Sequence, residues 1–156
     1  MAATVRTSII EQLHADLLAI DGSAGWFTNF GGHVEIRRIK PFDIDVDLPA
    51  INILYGMEEP EIVDPAVFQG LKGRWTRNLP VTIVVACSAA TTYDVVDKMV
   101  ADVFKAIRAD QGMGGYAIQT NPVNVQFFDA QDENRVAGAA IRITIQYRTN
   151  EYDETQ

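Results

Sequence analysis

One cysteine, two histidines and a short run of aspartates are the residues of this chain with the most obvious chemical potential. Cys87 could serve as a nucleophile with His14 or His33 as its base. A reactive thiolate needs an electropositive, partly open setting, and Val84, Val85 and Ala86 provide the opposite. Cys87 therefore reads as a small apolar residue inside a buried strand. With one cysteine the chain has no intrachain disulfide and no CxxC site. His14 falls off the apolar stripe of its helix, beside Asp16, in a solvated position. His33 follows Gly31-Gly32 at the mouth of a strand. Two histidines at unrelated spacing fall short of the roughly four ligands a zinc site takes.

Asp43, Asp45 and Asp47 match the opening of a calcium loop, D-x-D-x-D. The match fails at the sixth position, Leu48, where the turn needs glycine, and at the twelfth, Leu54, where a bidentate glutamate is needed. Alternation with Ile44 and Val46 instead predicts the wet face of an edge strand, where charge discourages sheet-to-sheet aggregation. The glycines of 112–115 lack the lysine and Ser/Thr of a P-loop and follow a helix, and 70–74 has no matching context, so both read as turns. No G-x-S-x-G, H-E-x-x-H or paired-carboxylate motif stands out. No catalytic residue, metal or cofactor is expected. A small enzyme or ligand-binding domain would need a concave pocket with converging polar groups, and no residues stand out to build one.

The polar residues of the last strand are more informative. Arg142, Thr144, Gln146 and Arg148 alternate with Ile141, Ile143, Ile145 and Tyr147, and Asn124 and Gln126 join them across a hairpin. For a monomer this would be a solvated sheet face. A broad face without helix cover is also where another subunit packs. Trp26, Phe27, Phe30 and Trp75, in or beside loops, are large apolar groups that need burial. Arginines and aromatics favour interfaces. The expected interface set is Arg37, Trp75, Arg142, Gln146 and Arg148.

The elements that must position these residues follow from periodicity. A helix is predicted over 5–20, with Ile9, Ile10, Leu13, Leu17, Leu18 and Ile20 on one stripe, Thr4 or Thr7 as cap and Asp21-Gly22 as stop. Residues 23–32 form an ordered loop. Strands are predicted over 33–40, at 43–47 and over 50–55, followed by an exposed acidic excursion at 58–65. Residues 74–88 are extended, and the apolar run 81–87 implies a central strand covered on both faces. The second helix, 91–110, has Val95, Val96, Met99, Val100, Val103, Phe104 and Ile107 on one face, and Asp94, Asp97, Lys98, Asp102, Lys105 and Arg108 on the other. A hairpin closes the chain. Its first strand alternates Val123, Val125 and Phe127, and its turn lies at 129–134. The order is not a βαβ alternation, so the fold class is α+β: a mostly antiparallel or mixed sheet of four to five strands with two helices on one face.

The composition agrees with one domain over 1–156, with 151–156 as an acidic tail. The chain is 47% hydrophobic and 22% charged, too apolar for a disordered chain. Its 13 basic and 21 acidic residues give a net charge of −8, which disfavours binding to nucleic-acid phosphates. No segment reaches the roughly 20 apolar residues that span a bilayer. The first residues lack the apolar core of a signal peptide, so a reducing cytoplasm is the expected place of synthesis.

In sequence order, several segments resemble the tail terminator (tail completion) proteins of long-tailed bacteriophages. They are the amphipathic helix ending in Ile20-Asp21-Gly22, the strand from Pro49 to Gly56 followed by acidic residues, and the strand from Leu79 to Val85. The helix from Val95 to Ile107 and the closing strand from Ile141 to Thr149 complete the pattern, and the ending YRT before acidic residues is its most telling piece. The resemblance covers nearly the whole chain and consists of structural patterns. It implies a non-enzymatic α+β subunit of a hexameric ring in the virion, at the head-proximal end of the tail, assembled in the host cytoplasm. Such a ring ends tail-tube polymerisation and docks the head-tail connector. Its partners would be further copies of itself, the tail tube protein and neck proteins, with DNA only passing through the lumen and no membrane. A neighbouring reading is another neck or baseplate protein, or a component of a contractile injection system.

Overall fold

A computed structural model describes residues 3–40, 47–56, 59–61, 74–88, 93–128 and 136–150. Helix α1 (Val5–Leu18) starts where the Thr4 side chain accepts the Thr7 backbone N–H at 3.1 Å, satisfying one of the donors a helix start leaves unpaired. Its Ile9, Ile10, Leu13 and Leu17 are buried. The helix stops short of Ile20, which is nevertheless buried. Gly22 then turns the chain with φ +75°, and a Cβ there would stand 2.9 Å from Asn29 Cβ. Only glycine accepts both conditions, and they allow Asp21 to pair with Asn29 across the loop.

Strand β1 (Val34–Ile36) is shorter than the 33–40 expected. Arg37 adopts φ 53°, a left-handed conformation that takes the chain out of the strand, and the Arg38 N–H bonds the Asn52 side chain at 3.0 Å. Strand β2 (Ala50–Tyr55) runs parallel to β1 and antiparallel to the long β4 (Arg74–Ser88). Of the excursion expected at 58–65, Glu59–Glu61 forms the short strand β3 on the first half of β4, and the rest lies outside the described residues. The strand expected at 43–47 also lies outside them, except for Asp47, which bonds Arg38 at 2.6 Å. Helix α2 (Tyr93–Ala109) follows, then a 3-10 turn at Met113–Gly115, then β5 (Gln119–Phe128) and β6 (Val136–Asn150). The sheet order is β1-β2-β4-β6-β5, with β3 beside β4. All pairings but β1 with β2 are antiparallel. This is the expected α+β class.

The core lies between the sheet and the two helices. Ile51, Ile53, Val81, Ile83, Val85, Ile141, Ile143, Ile145 and Tyr147 meet Leu13 and Leu17 of α1 and Met99 and Val103 of α2. Each fully buried aliphatic side chain contributes roughly 1.5–3 kcal/mol. The central strand departs from expectation in one respect. Val81, Ile83 and Val85 are buried beneath the helices, whereas Thr82 and Val84 are only half-buried on the other face. Ala86, on that same face, is buried beside Ala50 of β2, so the second face is covered only towards the end of the run. Among the described residues no helix is long and apolar enough to cross a membrane.

Two sites in the fold give stability predictions. A Cβ at Gly138 would overlap the Val85 carbonyl oxygen and stand 2.7 Å from Phe128 Cζ. Gly138→Ala is expected to destabilise the chain by about 1–3 kcal/mol, read as a lower urea midpoint. At the α1 junction, Gln12 donates to one Asp16 oxygen at 2.9 Å, while the other oxygen is buried with no hydrogen-bond partner among the described residues. Burial raises Asp16 above the usual 3.8, the Gln12 bond opposes it, and Asp110 adds to it. A raised carboxyl favours folding below its unfolded pKa, and this contribution disappears as pH rises through the folded pKa. Asp16→Asn is therefore expected to stabilise the chain at pH 7 and to lose that advantage on acidification towards pH 4. Equal gains at both pH values in urea titrations would exclude a charge effect.

Candidate functional site

Among the described residues, the face of the sheet turned away from the helices is largely polar across the end of β4, β6 and β5, while Leu54, Val84 and Ala86 make its other part apolar. Its composition follows from strand register. Thr82 of β4, Arg142 of β6 and Asn124 of β5 align in one row. Pro80, Thr144 and Asn121 form the next, and Asn78, Gln146 and Gln119 the third. In that third row the side chains connect. Gln119 Nε2 donates to Gln146 Oε1, and Gln146 Nε2 donates to Asn78 Oδ1, both at 3.4 Å. A chain of amides thus crosses three strands. Arg142 and Arg148 are exposed, and neither forms an ion pair among the described residues. Glu59 and Glu61 of β3 hold register positions beside Asn78 and Thr76, so acidic positions stand in the same rows as Gln146 and Arg148.

The structure therefore brings Arg142 and Gln146 onto one surface with Arg148, as their alternation predicted. Trp75 lies opposite Thr149 in the β4–β6 ladder, near the same end. Arg37 lies elsewhere. It leaves β1 at the opposite edge of the sheet, its guanidinium 5.0 Å from the centre of the Tyr55 ring. Cys87 is buried, as expected. His14 is not solvated as its position off the stripe implied. It is half-buried, and its Nε2 lies 2.8 Å from the Val34 carbonyl oxygen, tying α1 to β1. Among the described residues no group of three or more His, Cys, Asp or Glu could hold a metal.

The first strand of the hairpin breaks its expected alternation. The register shifts between Pro122 and Asn124, and this leaves Val123 60% exposed. Phe127 is also exposed, while Val125 packs against the core. With Tyr116, Ile118 and Phe128 they give this edge of the sheet a run of exposed apolar side chains.

A second feature was missed in the sequence. Asp102, placed there on the polar face of α2, is fully buried. Its carboxylate accepts the Phe27 N–H at 3.0 Å and the Thr28 N–H at 2.8 Å. Lys105, one turn on, donates to the Gly25 carbonyl and sits 4.7 Å from the centre of the Trp26 ring. Helix α2 thus holds the 21–32 loop by its backbone. Phe30 is buried and Trp26 half-buried, as large apolar groups require, but Phe27 is 70% exposed at the tip. The available signal was a glycine-rich loop whose N–H groups needed outside acceptors.

No family model and no curated protein matches the chain. Among solved structures it is similar to a chain of one described as "Virion of native gene transfer agent (GTA) particle". That similarity has 15% identity and a TM-score of 0.42, covering 95% of this chain and 96% of that one.

If the open face is a surface for contacts and not part of the folding core, its arginines are dispensable for stability. Arg142→Ser and Arg148→Ser should each shift unfolding free energy by less than about 0.5 kcal/mol in urea titrations.

Proposed function

We propose that this chain is a structural, non-enzymatic subunit of a phage-like virion, a tail-terminator-type protein that forms a ring, in the family's manner a hexamer, at the head-proximal end of the tail. The ring blocks further growth of the tail tube and offers a docking surface to the head connector. DNA passes through its lumen. The observation that carries the reading is the sheet face that no described helix covers, with Arg142 near the middle of β6, Arg148 near its end, and the β3 positions Glu59 and Glu61 in the same rows as Gln146 and Arg148. A head-to-tail ring needs two different patches on each subunit, and the polar sheet face would supply one of them. The sequence resemblance to tail terminators points in the same direction. An acidic chain, at a net charge of −8, is also suited to a lumen that lets DNA slide without retaining it.

In this reading Arg142, Gln146 and Arg148, with Trp75 nearby and Arg37 at the opposite edge, lie at subunit or tube contacts. Arg148→Glu is expected to weaken ring formation or tail capping without unfolding the chain. Light scattering on eluted fractions and electron micrographs of capped tails read this out. Rings and capping at wild-type levels would remove Arg148 from the interface. Labelling in particles separates the terminator from other neck or baseplate roles, because a terminator sits only at the head-proximal tip.

A further inference from the structure

Two features of the surface, an exposed aromatic and a hollow with an arginine in its wall, could fit one another. The first is Phe27. It projects from a loop fixed to α2 by Asp102 and Lys105, so a large aromatic is presented to solvent from a held backbone. Asp21 is the only charged side chain of residues 21–32. Hydrogen bonds from the Ser23 side chain and backbone hold its carboxyl below the usual range, so it is ionised at neutral pH.

The second is a hollow of about 250 Å³ lined by Val5, Gly115, Tyr116, Ala117, Ile118 and Arg148. Its walls are mixed, with Val5, Tyr116, Ala117 and Ile118 supplying apolar surface and Arg148 a positive charge. About 150 Å³ of apolar space is enough to hold a benzene ring, so a phenylalanine side chain fits with room for its stem. Val5 is the first residue of α1 and the loop follows its last turn, so hollow and loop adjoin opposite ends of a helix roughly 21 Å long.

We infer that Phe27 of one copy of this chain inserts into the Val5–Tyr116–Ile118–Arg148 hollow of a second copy. The inference rests on the ring reading and names the contact that would build it. The knob's ring meets apolar walls and an arginine that is attracted to an aromatic face. Asp21 brings a negative charge that Arg148 of the hollow can meet, so charge favours one orientation. The contact is heterologous: each copy uses its knob on one neighbour and its hollow on the other.

The test uses the full chain, with molar mass followed by light scattering across a concentration series. Wild type is expected to assemble. Phe27→Ala should weaken association roughly 30-fold, the size of a hot-spot truncation, and Ile118→Glu should do the same by filling and charging the hollow. Both positions are exposed and the Ile118 N–H bond to Gln146 is backbone, so melting temperatures should match wild type. Ile39→Ala, which trims the most exposed apolar side chain described, should leave assembly unchanged. The mixture is decisive. Phe27→Ala retains a good hollow and Ile118→Glu a good knob, so together they should form a 1:1 dimer that goes no further. Assembly that survives both variants overturns the knob and hollow and leaves the ring reading standing. A mixture that forms no dimer overturns the head-to-tail pairing. A wild-type chain that stays monomeric throughout overturns the self-contact at the outset, before any variant is compared.

Discussion

The register between β4 and β6 is the constraint on which the rest of the structure depends. Both strands are 15 residues long, and they pair from Arg74 opposite Asn150 to Ser88 opposite Val136 without interruption. Because side chains alternate across a strand, that register places Ile141, Ile143, Ile145 and Tyr147 beneath the helices, next to Leu79, Val81 and Ile83. The same alternation turns Arg142, Gln146 and Arg148 the other way. A slip by one residue would drive arginines into the core and isoleucines into water, so the apolar face fixes the pairing and the pairing fixes which residues share the outer face. At Gly138 the strands approach so closely that the Val85 carbonyl leaves no space for a side chain. Stability and the proposed function thus depend on the same strand pair, on opposite faces.

How much of this was legible depended on whether a signal was local. The period of β6, the length of β4 and the apolar face of α2 could be read because each repeats over many residues. The end of β1 could not, because it depends on Arg37 adopting a left-handed backbone and on Asn52, a residue of the next strand, capturing the Arg38 N–H. The short β3 has two glutamates and a proline, a composition that reads as loop, and it is extended because β4 offers it an edge. Val123 kept the hydrophobic period, but a register shift left it without its place on the inner face. The run 81–87 is covered on both faces only at Ala86; Thr82 and Val84 are half-buried, because valine and threonine suit a buried face and a partly open one alike.

The candidate surface was legible in part for the same reason. Arg142, Gln146 and Arg148 share a strand, so alternation alone gathers them. Asp102 was misplaced because helix periodicity assigns a side chain to a face and cannot say what lies over that face. Here the 21–32 loop folds across it, and the backbone N–H groups of Phe27 and Thr28 supply partners that let a carboxylate be fully buried. His14 shows the same limit. It lies off the apolar stripe, and β1 approaches it from the side with a carbonyl.

The loop's fixation also bears on how a ring of this chain would close. A heterologous contact repeats one rotation at every step, and it closes only when that rotation returns to its start; otherwise it grows as a filament. A mobile loop would spread the rotation over a range and allow open chains. Asp102 and Lys105 bind the loop at Gly25, Phe27 and Thr28, on either side of the exposed Phe27 side chain. The hollow is built from the start of α1, the turn before β5 and the end of β6, elements joined through the sheet and core. With knob and hollow both set on rigid elements that adjoin opposite ends of α1, the angle between neighbours is a property of the fold. For a protein proposed to end the growth of a tube, a contact that closes on itself is the physical requirement, since a terminator that polymerised onward would extend what it must stop.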